Sequence, residues 1–153
     1  MSDLFSLEDI FNVMIELETL GNLHYSKMKD MTKNAKLKVL FEQLAKAELA
    51  HKDVYVKFKS EIIHFRHEKV TEEYEAYINA LLNQTIQFFD ESHAISEFEK
   101  GYSISIQLEK DTILFLTEIR SIVEPIYYET IDKIIVQEQS HLIALYEYKD
   151  EIQ

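Results

Sequence analysis

Residues 46–52 read KAELAHK and residues 135–142 read IVQEQSHL, and in each a glutamate stands three positions before a histidine. Apolar residues around both recur every three or four positions, the signature of one helix face. The first stripe is Leu37, Phe41, Leu44, Glu48, His51, Tyr55, Phe58 and Ile62; the second is Tyr127, Ile131, Ile134, Glu138, His141, Leu145 and Tyr148. Residues three apart on a helix point to the same side, so each Glu-x-x-His pair projects from the face that should be buried. An unpaired buried carboxylate is expensive, and something must neutralise it.

Two more stripes carry the same anomaly. Leu7, Phe11, Met14, Glu18, Gly21, Tyr25 and Met28 form one; Phe98, Tyr102, Ile106, Glu109, Ile113, Leu116 and Ile119 form the other. Each is apolar apart from one mid-helix glutamate and, in the first, Gly21. Ser6 is the expected cap of the first helix, Asn34 of the second, and Thr71 opens a third before Glu72 and Glu73. That third stretch shows Tyr74, Ile78, Leu81, Thr85 and Phe88 on one side and no evident chemistry. Pro125 suits the first turn of the last helix, where a missing N–H does no harm. Gly101, inside the fourth, should cost about 1 kcal/mol relative to alanine. With two glycines, one proline and no strand-like alternation, the class is all-α.

Composition bounds the function. The 153 residues fit one domain, 1–153, and at 46% apolar and 29% charged they suit a folded chain. A net charge of −12 disfavours nucleic acid and anionic membrane surfaces as partners. The absence of cysteine excludes disulfides and thiolate metal sites. No apolar run reaches the roughly 20 residues that span a bilayer. The acidic start MSDLFSLEDIF does not read as a signal peptide, so a soluble, cytoplasmic protein is the expectation.

A spacing match alone proves little. Composition predicts about one Glu-x-x-His by chance, and the chain has three: Glu48/His51, Glu61/His64 and Glu138/His141. Glu61 and His64 lie roughly 140° around the helix from Glu48 and His51, and read as a solvated helix end. The other two pairs belong to an internal repeat. IELETLGNLHY (15–25) aligns with IQLEKDTILFL (106–116) and sets Glu18 over Glu109; KAELAHK aligns with IVQEQSHL and sets Glu48 over Glu138 and His51 over His141. Two helical hairpins each bear a glutamate and, about 30 residues on, a Glu-x-x-His.

Four inward carboxylates would burden a bundle core, and two divalent cations would balance them. One glutamate from each of two helices plus Glu-x-x-His from each of two others is the ligand pattern of di-iron carboxylate bundles. Oxygen-rich ligands with one imidazole each suit iron, with manganese next. Buried ion pairs and exposed faces are the competing explanations. Tyr55, Tyr102 and Tyr148 fit packing better than hydrogen bonding to a site. His24, His67 and His93 read as solvated, and Glu16, Glu97 and Glu99 as off the core face. Met14 and Met28 read as core filler.

ETLGNLHY, LEKDTILF, ELAH and EQSH together resemble the ligand segments of the rubrerythrin-like branch of the ferritin-like superfamily, over nearly the whole chain. The resemblance implies an antiparallel four-helix bundle of two hairpins, with residues 67–96 as a helical crossover between the second and third bundle helices. The exposed remainder of that helix is a candidate homodimer contact. It implies Glu18, Glu48, His51, Glu109, Glu138 and His141 as ligands of two iron ions. Glu48 and Glu138 would bridge, and Glu18 and Glu109 would be terminal. Tyr25 becomes a hydrogen-bond donor behind the ligands. The implied activity is an oxidoreductase that reduces peroxide or dioxygen, and the alternative is iron handling of the ferroxidase type. Two departures stand out. There is no cysteine-rich rubredoxin domain, so an external electron donor is required. Thr112 occupies the place of an extra glutamate associated with peroxide turnover.

Overall fold

A computed structural model describes residues 7–61, 71–92 and 97–152. Five α-helices follow one another: α1 (Leu7–Met31), α2 (Ala35–Glu61), α3 (Glu72–Ser92), α4 (Phe98–Ile122) and α5 (Tyr128–Glu147). The Ser6 cap, Ile62, His64, His67, His93 and the side chains of Leu7 and Phe88 lie outside what is described.

Local chemistry sets the helix ends. Asn34 Oδ1 accepts from the backbone N–H groups of Lys36 and Leu37, at 2.9 and 3.2 Å, and so caps α2 as its sequence predicts. Thr71 Oγ1 accepts from Tyr74 N–H at 3.1 Å and caps α3, whose first turn holds Glu72, Glu73 and Glu75. Pro125 departs from expectation. It opens a separate 3₁₀ turn, Pro125–Tyr127, closed by Tyr127 N–H donating to Glu124 O, and α5 begins only at Tyr128. A short 3₁₀ turn is a common way into a helix, and it reverses the chain between α4 and α5.

α1 packs on α2 and α4 on α5, as two hairpins; α1 also meets α4, and α2 meets α5. Neighbours are antiparallel. Along α1 and α4, Tyr25 reaches Ser105 and the Met28 side chain lies against Gly101, so position rises on one as it falls on the other. Along α2 and α5, His51 meets Gln137 while Phe58 packs on Tyr127. With every neighbour antiparallel, α2 and α4 run parallel, and the link between them must climb the bundle. α3 makes that climb along the outside, its 21 residues covering about 30 Å. Tyr74 donates to Glu118 Oε2 at 2.6 Å and Thr85 to Asp111 Oδ2 at 3.2 Å, pinning α3 to α4.

The core follows the stripes closely on α1 and α2. Phe11, Met14, Tyr25, Met28, Leu37, Phe41, Leu44, Tyr55 and Phe58 are all buried. Each such side chain contributes about 1.5–3 kcal/mol. On α3 the phase shifts by one residue: Ile78, Leu82 and Thr85 are buried and Leu81 is only half-buried. α4 differs more. Ile104, Ser105, Leu108, Thr112 and Phe115 are buried beside its stripe: α1 lies against Ser105 and Leu108, and α3 packs on a further face at Asp111 and Glu118. Among the described residues no helix is long and apolar enough to cross a membrane.

Candidate metal centre

Halfway along the bundle, Glu18 of α1, Glu48 and His51 of α2, Glu109 of α4, and Glu138 and His141 of α5 converge. They form two groups. Glu18, Glu48, His51 and Glu138 each offer a ligand atom within 4.8 Å of the others, and so do Glu48, Glu109, Glu138 and His141. Glu48 and Glu138 belong to both. All six sequence-predicted residues are therefore brought together, and the two shared glutamates are the two that the resemblance made bridges.

The side chains of the two groups come close together. His51 Nδ1 lies 2.6 Å from Glu138 Oε1 and 4.0 Å from Glu18 Oε2. His141 Nδ1 lies 3.8 Å from Glu109 Oε1 and 3.6 Å from Glu138 Oε2. The two imidazoles stack with centroids 6.2 Å apart. Both Glu18 oxygens, both Glu138 oxygens, Glu48 Oε1, Glu109 Oε2 and both Nδ1 atoms are buried without a hydrogen-bond partner. Buried polar atoms are nearly always satisfied, so this many orphans facing one space fit a place for metal cations far better than a finished core.

Electrostatics tell the same story. Burial raises Glu18 to about 7, against the lowering effect of its contact with Glu48 and with further raising by Glu138. Burial and then the neighbouring carboxylates push Glu48 and Glu109 well above the usual carboxylate range. Glu138 moves the other way. Burial works against its charge, but contacts with Glu109, His141 and His51 outweigh it and hold the carboxyl below its ordinary range. His51 is its counterpart: burial opposes the charged ring, yet Glu138 lifts it to about 9. Without metal, protons shared among these groups supply the neutralisation that cations would otherwise provide.

Two residues that carry no anomalous charge complete the site. Tyr25, fully buried, donates to Glu109 Oε1 at 2.6 Å. Gly21 lies where any Cβ would come 2.9 Å from Glu48 Oε2, so the absence of a side chain makes room for that carboxylate. Its place on the stripe was legible; its reason was not. Gln137 was missed altogether. Its Oε1 accepts from His51 Nε2 at 2.7 Å, which places a proton on Nε2 and turns the Nδ1 side of the ring toward the carboxylates. An exposed glutamine one position before a ligand gives no periodicity signal.

The remaining candidates sort by burial. Tyr55 is buried with an unpartnered hydroxyl near Glu18, and Tyr102 donates instead to Leu145 O. Tyr148 is half-buried; Glu16, Glu61, Glu97 and Glu99 are exposed. Thr112 is buried on α4. His24 corrects the sequence reading. It is half-buried, and its Nε2 is 2.8 Å from Ser105 Oγ, because the close approach of α1 and α4 removes that flank from water.

No protein-family model matches the sequence, and no curated protein matches it significantly. Among solved structures, the fold matches the crystal structure of a protein from Thermotoga maritima described as a candidate ferritin-like diiron-carboxylate protein. The TM-score is 0.68, identity is 22%, and each chain is covered over 100% of its length. The likeness establishes a ferritin-like helical bundle.

Proposed function

We propose that the chain is a dimetal carboxylate protein, with iron as its first metal and manganese next. The reading places it among oxidoreductases that reduce peroxide or dioxygen with electrons from an external donor. One observation carries the proposal: two four-residue groups share Glu48 and Glu138 and leave buried oxygens and ring nitrogens unpartnered between them. The solved structure's description as a diiron-carboxylate protein supports the metal assignment.

In this reading two metal ions would be held in common by Glu48 and Glu138, with Glu18 and His51 at one position and Glu109 and His141 at the other. A pair of iron ions would supply two reducing equivalents by passing between the +2 and +3 states. The chain's own work is to hold and insulate. Tyr25 fixes one oxygen of Glu109 and leaves the other to ligate. Phe11, Met14, Tyr25, Phe41 and Tyr102 keep the bundle core dry, which strengthens every electrostatic interaction inside it. Gln137 holds the His51 ring in the tautomer that ligation needs.

A second reading, iron binding and oxidation without turnover of peroxide, is favoured by the net charge of −12, which attracts cations. Both rest on the same ligands. The test is metal analysis and an optical spectrum of protein produced with iron, followed by peroxide added to the reduced form with a donor present. Near two irons per chain with catalytic peroxide consumption is expected. Binding without turnover selects the second reading. Glu48→Ala, which removes a ligand common to both positions, should leave less than one ion per chain. Retention of a full load by that variant overturns the site.

A further inference from the structure

The repeat that relates the two hairpins also predicts where their halves should match, and at the metal centre they do not. Under the offset of 90 that sets His51 over His141, Gln137 of α5 falls over Ala47 of α2. His51 thus meets a glutamine across the α2/α5 contact, and the position from which a side chain would return the favour to His141 carries a methyl group. His51 Nε2 is anchored by Gln137 at 2.7 Å, and the side chain is 3% exposed. His141 is 19% exposed and has no protein acceptor for Nε2 among the described residues. Its Nδ1 sits 3.6 Å or more from the nearest carboxylate oxygens, where His51 Nδ1 comes to 2.6 Å.

The terminal glutamates differ in the opposite sense, so the histidines carry the inequality. Glu109 yields Oε1 to the Tyr25 hydroxyl, and the offset of 91 puts Leu116, which has no donor, in the equivalent place opposite Glu18. Both Glu18 oxygens are buried without a hydrogen-bond partner, although the Tyr55 hydroxyl stands near. Gly21 opens room for the Glu48 carboxylate, and its counterpart is Thr112.

We infer that the two metal positions are unequal: Glu18 and His51 hold a tightly bound, slowly exchanging ion, and Glu109 and His141 hold a readily exchanged one. Gln137 is the positioning residue that makes the difference, and Ala47 marks where its equivalent is lacking. The inference rests on the dimetal reading above. It assigns the His141 side as the point where metal enters, leaves and meets small molecules from solvent. An orienting partner on the far ring nitrogen of a ligating histidine changes metal affinity by about 10- to 100-fold, enough to separate two otherwise similar positions.

The experiment loads the full chain with two equivalents of cobalt(II) and follows removal by excess EDTA through the visible ligand-field absorption. Two phases of equal amplitude are expected, with rates at least about tenfold apart. His141→Ala should abolish the fast phase and keep the slow one. Gln137→Ala should speed the slow phase about tenfold, and Ala47→Gln should slow the fast phase by about as much. Both of these substitutions lie off the buried core, so neither threatens folding. A single phase in the unaltered chain, or a fast phase that ignores Ala47→Gln, overturns the inference and leaves the dimetal reading standing. Failure to bind any cobalt overturns both.

Discussion

The two hairpins share a plan and differ in their surroundings. α1 and α2 bury one stripe each, and the sequence stripes on them are nearly the structural ones. α4 carries a comparable stripe but packs against α3 as well as α1 and α5, and Ile104, Ser105, Leu108, Thr112 and Phe115 join its interior. The histidine of the second Glu-x-x-His nevertheless lies nearer the surface than that of the first. Repetition of ligand spacing therefore guarantees that the ligands meet. It does not guarantee that they meet in equal environments, because each side chain's setting depends on what the neighbouring helix presents.

The widest test of this comparison is pH, in the metal-free protein. Glu18, Glu48 and Glu109 have folded-state pKa values above their unfolded ones, so their contribution is fully present below about 4.5 and is lost as pH rises through the folded values. For Glu18, raised to about 7, the loss is on the order of 3 kcal/mol between pH 4.5 and 7. His51 adds a loss in the same direction between about 6.5 and 9. Glu138, depressed, acts oppositely and withdraws stability only as pH falls below about 4.5. Thermal unfolding should therefore show greatest stability near pH 5 and a marked decline by pH 8. Metal should reverse the trend, since ligands bind deprotonated. A flat profile between pH 5 and 8 would mean that the four carboxylates are not buried together.

Gly21→Ala is the next largest effect and tests the asymmetry of room. A Cβ would stand 2.9 Å from Glu48 Oε2 and 3.3 Å from Leu108 Cδ2, so the shared carboxylate must move. Metal affinity should fall about tenfold by isothermal titration, comparable to disturbing a ligand's support. The other helical glycine is the control. A Cβ at Gly101 would meet the far end of Met28, a flexible chain that can yield, so Gly101→Ala should leave metal affinity unchanged.

The smallest effect contrasts two buried tyrosines. Tyr25 makes a 2.6 Å hydrogen bond to Glu109, while the Tyr55 hydroxyl has no partner. Tyr25→Phe should destabilise the metal-free protein by about 1–2 kcal/mol, and Tyr55→Phe should be neutral or slightly stabilising, as read by urea denaturation at pH 5. Equal losses would show that Tyr55 holds Glu18 as Tyr25 holds Glu109.

Much of this protein was legible in its sequence. Scarcity of glycine and proline, 3.6-residue periodicity and the caps at Asn34 and Thr71 depend on short-range chemistry, and they determined the helices. The repeat and the placement of charge on apolar faces determined which glutamates and histidines would meet, because burying four carboxylates has few physical solutions. Other features depended on contacts between residues distant in the chain. The covering of α4 by α3, the seat of His24 on Ser105, the anchoring of His51 by Gln137 and the exposure of His141 arise where helices cross, and no periodicity within one helix encodes its neighbour's side chains. The sequence by itself determined that a charged centre would form; the tertiary structure decided that its two halves would be unequal.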